Sequence, residues 1–129
     1  MKTKSGLRFG ISLPQSFPKE QIDHGYLREY VLKAESLGFD DGWLTETILS
    51  SNFHLEPVTY ISYLAALTTR LRFGVAVIIL NARNPVQLAK ALATVDQLSN
   101  GRVTVGVGIG VGSANYPVFG IPPERRVAR

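Results

Sequence analysis

Cysteine is absent from the 129 residues, which excludes disulfides and thiolate metal sites and fits a reducing, cytoplasmic setting. The two histidines, His24 and His54, have no partner at metal-ligand spacing, so no metal is expected. No Ser-His-Asp or Cys-His arrangement can be assembled. Apolar runs long enough to cross a bilayer are missing, and MKTKSGLRFGISLP at the N-terminus has basic residues without the apolar core of a secretory signal. Neither a membrane nor export is expected. Fourteen Lys and Arg outnumber ten Asp and Glu for a net charge of +4, yet they are scattered, with no basic stripe or nucleic-acid reader motif. A nucleic-acid partner is therefore not expected. With 45% hydrophobic and 19% charged residues, the composition is that of an ordinary globular domain or a piece of a larger one.

What is present is organised around residues 70–112. Leu71 to Leu80 is apolar without a break after Arg72 and rich in β-branched residues, the signature of a strand buried on both faces of a parallel sheet. Asn84-Pro85 supplies an N-cap and a proline at the first helical position, where its missing N–H costs nothing. Leu88, Ala89, Leu92, Val95 and Leu98 form one apolar stripe, and Asn100-Gly101 offers a left-handed stop. A crossover of this length returns the chain parallel to its start, so Arg102 to Gly110 is a second strand of a βαβ unit.

The remainder repeats the pattern. Leu7 to Leu13 reads as a strand ended by Pro14, and residues 15–21 read as a polar loop. Leu27, Tyr30, Val31, Ala34 and Leu37 stripe a helix that Gly38 closes. Residues 41–46 are a short strand and 47–55 a loop, after which Pro57 opens a helix with Val58, Ile61, Leu64, Ala65 and Thr68 on one face. Strand starts near Leu7, Asp41, Leu71 and Arg102 recur at roughly thirty residues, the length of a β-loop-α unit. Serial units of this kind build either an open doubly wound sheet or a (β/α)8 barrel. The open sheet's G-x-G-x-x-G turn is missing, because Leu13-Pro14-Gln15-Ser16 stands in its place. Glycines instead fall at every second position, 106, 108, 110 and 112, along a strand and its exit. Either a flat ring system or side chains of a neighbouring strand approach closely there.

RFGISLP at 8–14, AESLGFDDGWLTE at 34–46, LAALTTRLRFGVAV at 64–77, NPVQLAKALATVDQLSNGRVTVGVGIG at 84–110 and FGIPPERR at 119–126 resemble, in order and spacing, the bacterial luciferase-like family of flavin- and deazaflavin-dependent oxidoreductases. That resemblance implies a (β/α)8 barrel with FMN or coenzyme F-420 at the C-terminal ends of its strands. A full barrel needs about 250 residues, so 1–129 is expected to be its N-terminal half, truncated after the fourth strand. The implied activity is a redox or monooxygenase reaction on a small organic substrate. An alternative is a non-catalytic half-barrel that works only by self-association or with a complementary half.

The resemblance also implies site residues. Glu46 takes the place of the family's acidic residue facing the ring, although Thr47 stands where a histidine commonly follows. Ala76-Val77 matches the family's non-prolyl cis peptide behind the flavin, and Asn81, Gly108 and Gly110 are expected near the ring. Arg83 reads as a charge exposed to solvent, Trp43 and Phe73 as core, and Arg125 and Arg126 as either family segment or exposed tail. Leu13, Glu46, residues 79–81 and residues 108–112 should converge on one rim. Free edges on the first and fourth strands should make the chain a dimer, or make it pair with a complementary half.

Overall fold

A computed structural model of the chain describes residues 6–18, 21–110, 116–122 and 124. In chain order the elements are β1 (Gly10–Ser12), β2 (Ser16–Phe17), α1 (His24–Ser36), β3 (Asp41–Leu44), β4 (Phe53–His54), α2 (Pro57–Leu67), β5 (Arg72–Ile79), α3 (Pro85–Leu98) and β6 (Val103–Gly108). β1, β3, β5 and β6 form one four-stranded sheet in that order, with every pair parallel. Strand order never reverses, and α2 packs against both α1 and α3. Right-handed crossovers then place the helices on one face, as in a winding half-barrel. The doubly wound alternative is excluded by this order.

Local chemistry sets each helix. Asp23 caps α1 by accepting from Tyr26 N–H, Glu56 caps α2 by accepting from the Val58 and Thr59 N–H groups, and Asn84 caps α3 through Val86 and Gln87. Gly38, Asn100 and Gly101 have positive φ at the helix exits. Between helices and sheet lies a core that includes Leu44, Ile61, Leu64, Leu71, Phe73, Val75 and Ile78, each 1% exposed or less. Burying side chains of this size is worth about 1.5–3 kcal/mol apiece. At the opposite end from the strand exits, Arg102 donates to the carbonyls of Ala65, Thr68, Leu71 and Ser99, which satisfies acceptors at the end of α2.

Several expectations need correction. Residues 15–21 and 47–55 are not simply loops, since Ser16 pairs with His54 and Phe17 with Phe53 in an antiparallel ladder. β1 is shorter than Leu7 to Leu13, although Phe9 O still accepts from Asp40 and Asp41 N–H and Leu13 N–H donates to Trp43 O. Leu37 and Leu98 are exposed at the ends of their stripes. Phe73 is core, but Trp43 is only partly buried and lies over glycines of both neighbouring strands, where a Cβ on Gly10 or Gly74 would strike the indole. Gly112, Arg125 and Arg126 lie outside the described residues.

Candidate active site

The strand exits converge. A cavity of about 330 Å³ is lined by residues following β3 (Thr45 to Leu49), by Ala76, Val77 and Ile79 of β5, by Ile109 and Gly110 after β6, and by Ala82, Tyr116 and Phe119. Parallel strands place their C-terminal ends on the same rim, so loops distant in sequence share one site. Its walls are mainly aliphatic and aromatic, with Thr45, Glu46, Thr47 and Tyr116 supplying polar groups.

Glu46 is the most constrained polar side chain there. Its carboxylate is 1% exposed; it accepts from the Ile79 N–H, from Arg83 Nε at 2.7 Å and from Arg83 Nη2. Arg83 Nη2 also reaches Glu56 Oε1 at 2.7 Å. A single guanidinium thus ties the exit of β3 to the cap of α2, while Glu46 itself holds the end of β5. Arg83 is accordingly not a solvated surface charge: burial opposes its charge, but the hydrogen bonds it donates to Glu46 and Glu56 outweigh this and raise its pKa. Glu56 is likewise desolvated, yet donors from Thr59, Arg83 and Val58 hold its carboxyl below the ordinary value.

Two further side chains shape the cavity without any motif to announce them. Gln15 is 6% exposed and bonds Thr45 N–H and C=O at 2.9 and 2.8 Å and Leu55 C=O at 2.7 Å, fastening the loop after β1 to the exit of β3. Tyr116 donates to the Ile109 carbonyl and accepts from Asn81 Nδ2 at 3.3 Å, which brings the segment Tyr116–Phe119 across the cavity.

Of the residues singled out in the sequence, Glu46, Ala76, Val77 and Gly110 line the cavity, whereas Asn81 and Gly108 do not. The Ala76–Val77 peptide is cis. Asn81 is buried behind the wall as the partner of Tyr116. The spaced glycines are accounted for by the neighbouring strand: a Cβ would lie 2.9 Å from Val75 O at Gly106, 2.9 Å from Val77 Cγ2 at Gly108 and 3.0 Å from Ile79 Cδ1 at Gly110. Gly110 also has φ +73°. No group of His, Asp and Glu among the described residues has the arrangement of a metal site, and no described helix is long and apolar enough to cross a membrane.

Comparison with known proteins agrees with this geometry. The profile of the luciferase-like monooxygenases matches residues 7–129. An uncharacterized protein of Mycobacterium tuberculosis is 42% identical over 72 residues, covering 56% of this chain and 26% of that protein. An F420-dependent glucose-6-phosphate dehydrogenase of Amycolatopsis mediterranei is 35% identical over 96 residues, 70% of this chain and 29% of that enzyme. Among solved structures, monooxygenase RslO1 from Streptomyces bottropensis superposes with TM-score 0.79 at 27% identity, over 95% of this chain and 39% of that one. The chain therefore spans well under half the length of each of these proteins.

Proposed function

The chain belongs to the luciferase-like monooxygenase family, and on that premise we propose that its cavity holds the tricyclic ring of FMN or coenzyme F-420 for oxidation, reduction or oxygenation of a small organic substrate. The observation that carries this reading is the convergence of three strand exits on one apolar-walled cavity. The residues present suit a flat ring. Ala76, Val77, Ile109 and Phe119 offer apolar surface to its faces, and Thr45, Thr47 and Glu46 offer polar groups to its edge. When bound, the ring supplies hydride or oxygen chemistry. The protein's part is to position and enclose. The apolar walls exclude water, which strengthens every polar contact made inside. Glu46, held by Arg83 and the Ile79 N–H, is the acidic residue we assign to the site, and its fixed carboxylate sets where negative charge meets the ligand. Ala76, Val77 and Gly110 form the ring's seat, while Asn81 and Gly108 support it from behind.

We extend the proposal to association. β1 and β6 are the outer strands of the sheet, and Leu7, Phe9, Val107 and Ile109 are 63, 53, 54 and 43% exposed. Such edges pair readily. A second copy, or a complementary half of the same family, would continue the curve from both edges and deepen the cavity.

Absorbance titration with FMN and with F-420, on the wild type and on Ile109→Trp, tests the cofactor reading. Saturable binding is expected for at least one of them, with a dissociation constant above micromolar unless the barrel is closed by association, and Ile109→Trp should weaken it at least tenfold. Titration that is unchanged by the tryptophan would place the ligand elsewhere and overturn the reading.

A further inference from the structure

Trp43, the chain's only tryptophan, stands on the face of the sheet that no helix covers. Its neighbours in β3 point the other way: Leu44 is buried in the core, and a Cβ on Gly42 would meet Leu13 of that same core. Side chains alternate along a strand, so Trp43 projects from the concave side. It is only partly buried there, with its indole lying across Gly10 of β1 and Gly74 of β5. Gly106 of β6 shares this face, since a Cβ on it would lie 3.4 Å from Val77 Cγ1, and Val77 is itself 37% exposed. The concave face thus presents one large aromatic ring framed by glycines.

Resting on the edge pairing proposed above, we infer that the occupant of this concave face is a second copy of the chain, docked through Trp43. If β6 of each copy pairs in parallel with β1 of the other, the twofold axis runs along the barrel and sets every residue opposite its own copy. The sheet order then places β3 directly across from the partner's β3, and the two indoles meet at the axis. A barrel interior is a packed core filled by side chains. Glycines beside each indole leave the room that the opposite one needs, the alternation of large and small groups by which facing layers interdigitate. Aromatic rings in edge or offset contact add to the gain from burial. The charged row below is no obstacle. Arg8 pairs with Asp41, and Arg72 donates to Thr104 Oγ1 at 3.1 Å; the two arginines are 49 and 43% exposed at the strand starts, where the barrel opens to water.

A single tryptophan makes the test direct. Light scattering across a dilution series gives the dimer fraction, and circular dichroism over the indole bands is read on the same samples. An exciton couplet requires two indoles close together, which this chain obtains only from a second copy. The couplet should grow with the dimer fraction and vanish in Trp43→Phe, a variant that keeps an aromatic face and should dimerise within about tenfold of wild type. Trp43→Lys sets two ammonium groups against each other at the axis and should weaken dimerisation at least about a hundredfold. A dimer without a couplet, or Trp43→Lys dimerising as wild type does, overturns the inference and leaves edge pairing standing. The couplet is read on the wild type, so it decides the matter even where Trp43→Lys fails to fold. A chain that stays monomeric at high concentration refutes the edge pairing and this docking with it. If the chain shows no couplet alone yet binds the C-terminal half of a full-length relative, a complementary half is the occupant and the inference falls.

Discussion

Replacing Arg83 by Met removes the positive charge between two carboxylates while keeping an apolar stem. Glu46 is 1% exposed and Arg83 22%, so the acid is left buried with the Ile79 N–H as its remaining donor. Removing one partner of a buried pair costs about 3–5 kcal/mol. Because Arg83 is partly reached by water, which can enter the space it vacates, the lower end applies, about 3 kcal/mol. At a urea dependence of about 2 kcal/mol per molar, the unfolding midpoint should fall by about 1.5 M. Urea denaturation followed by circular dichroism measures this. The double variant Glu46→Gln, Arg83→Met removes the stranded charge as well and should recover about 2 kcal/mol of the loss, a coupling read from the double-mutant cycle. If Arg83→Met costs less than about 0.5 kcal/mol, or the double variant is no more stable than the single one, the network is a solvated surface contact. The structural role given to Glu46 would then fail.

Three other outcomes follow from the same structure. Glu35 caps the loop before β5 by accepting from Thr69, Arg70 and Leu71 N–H; desolvation opposes its charge, but these donors together lower its pKa below 4.5. Its contribution is therefore fully present above about pH 4.5 and lost as pH falls through the lower folded value, and Glu35→Gln should flatten acid unfolding in that window. Gly106→Ala places a methyl 2.9 Å from the Val75 carbonyl, a backbone atom that cannot swing away, and should cost about 1–3 kcal/mol in thermal unfolding; a neutral result would revive a ligand as the reason for that glycine. Light scattering should find a dimer or larger species, shifted toward monomer by Val107→Lys on β6, and a wild type that stays monomeric at high concentration would refute the edge argument.

Much of the fold was legible because its signals are local. Asn84-Pro85, Gly38 and Asn100-Gly101 act through the chain's own torsions and caps, so the sequence marked helix ends that the structure retains. The apolar run of β5 reads as a strand covered on both sides, but the structure covers only one: Phe73, Val75 and Ile78 are fully buried against the helices, while Ala76 and Val77 are exposed at the cavity. The site was less legible because its polar contacts span distances in sequence. Glu46 meets Arg83 across 37 positions, and Gln15 meets Thr45 across 30. Neither pairing has a spacing rule. The β2–β4 ladder was invisible for another reason: two residues carry no periodicity, and Ser16 and His54 are ordinary loop residues. The alternation of the glycines stands in the sequence, but its cause lies in the sheet, where Val75, Val77 and Ile79 of the neighbouring strand lie against them.

The central claim is that a flavin-type ring lies over β5 in the cavity at the strand exits, and intermolecular nuclear Overhauser contacts test it most directly. With FMN or F-420 added to methyl-labelled chain, ring protons should show contacts to the methyl groups of Ala76, Val77 and Ile109, which line that cavity, and none to Leu32 or Leu37 in the groove along α1. Contacts to the α1 groove instead, or saturable binding with no contact to Ala76, Val77 or Ile109, would contradict the account.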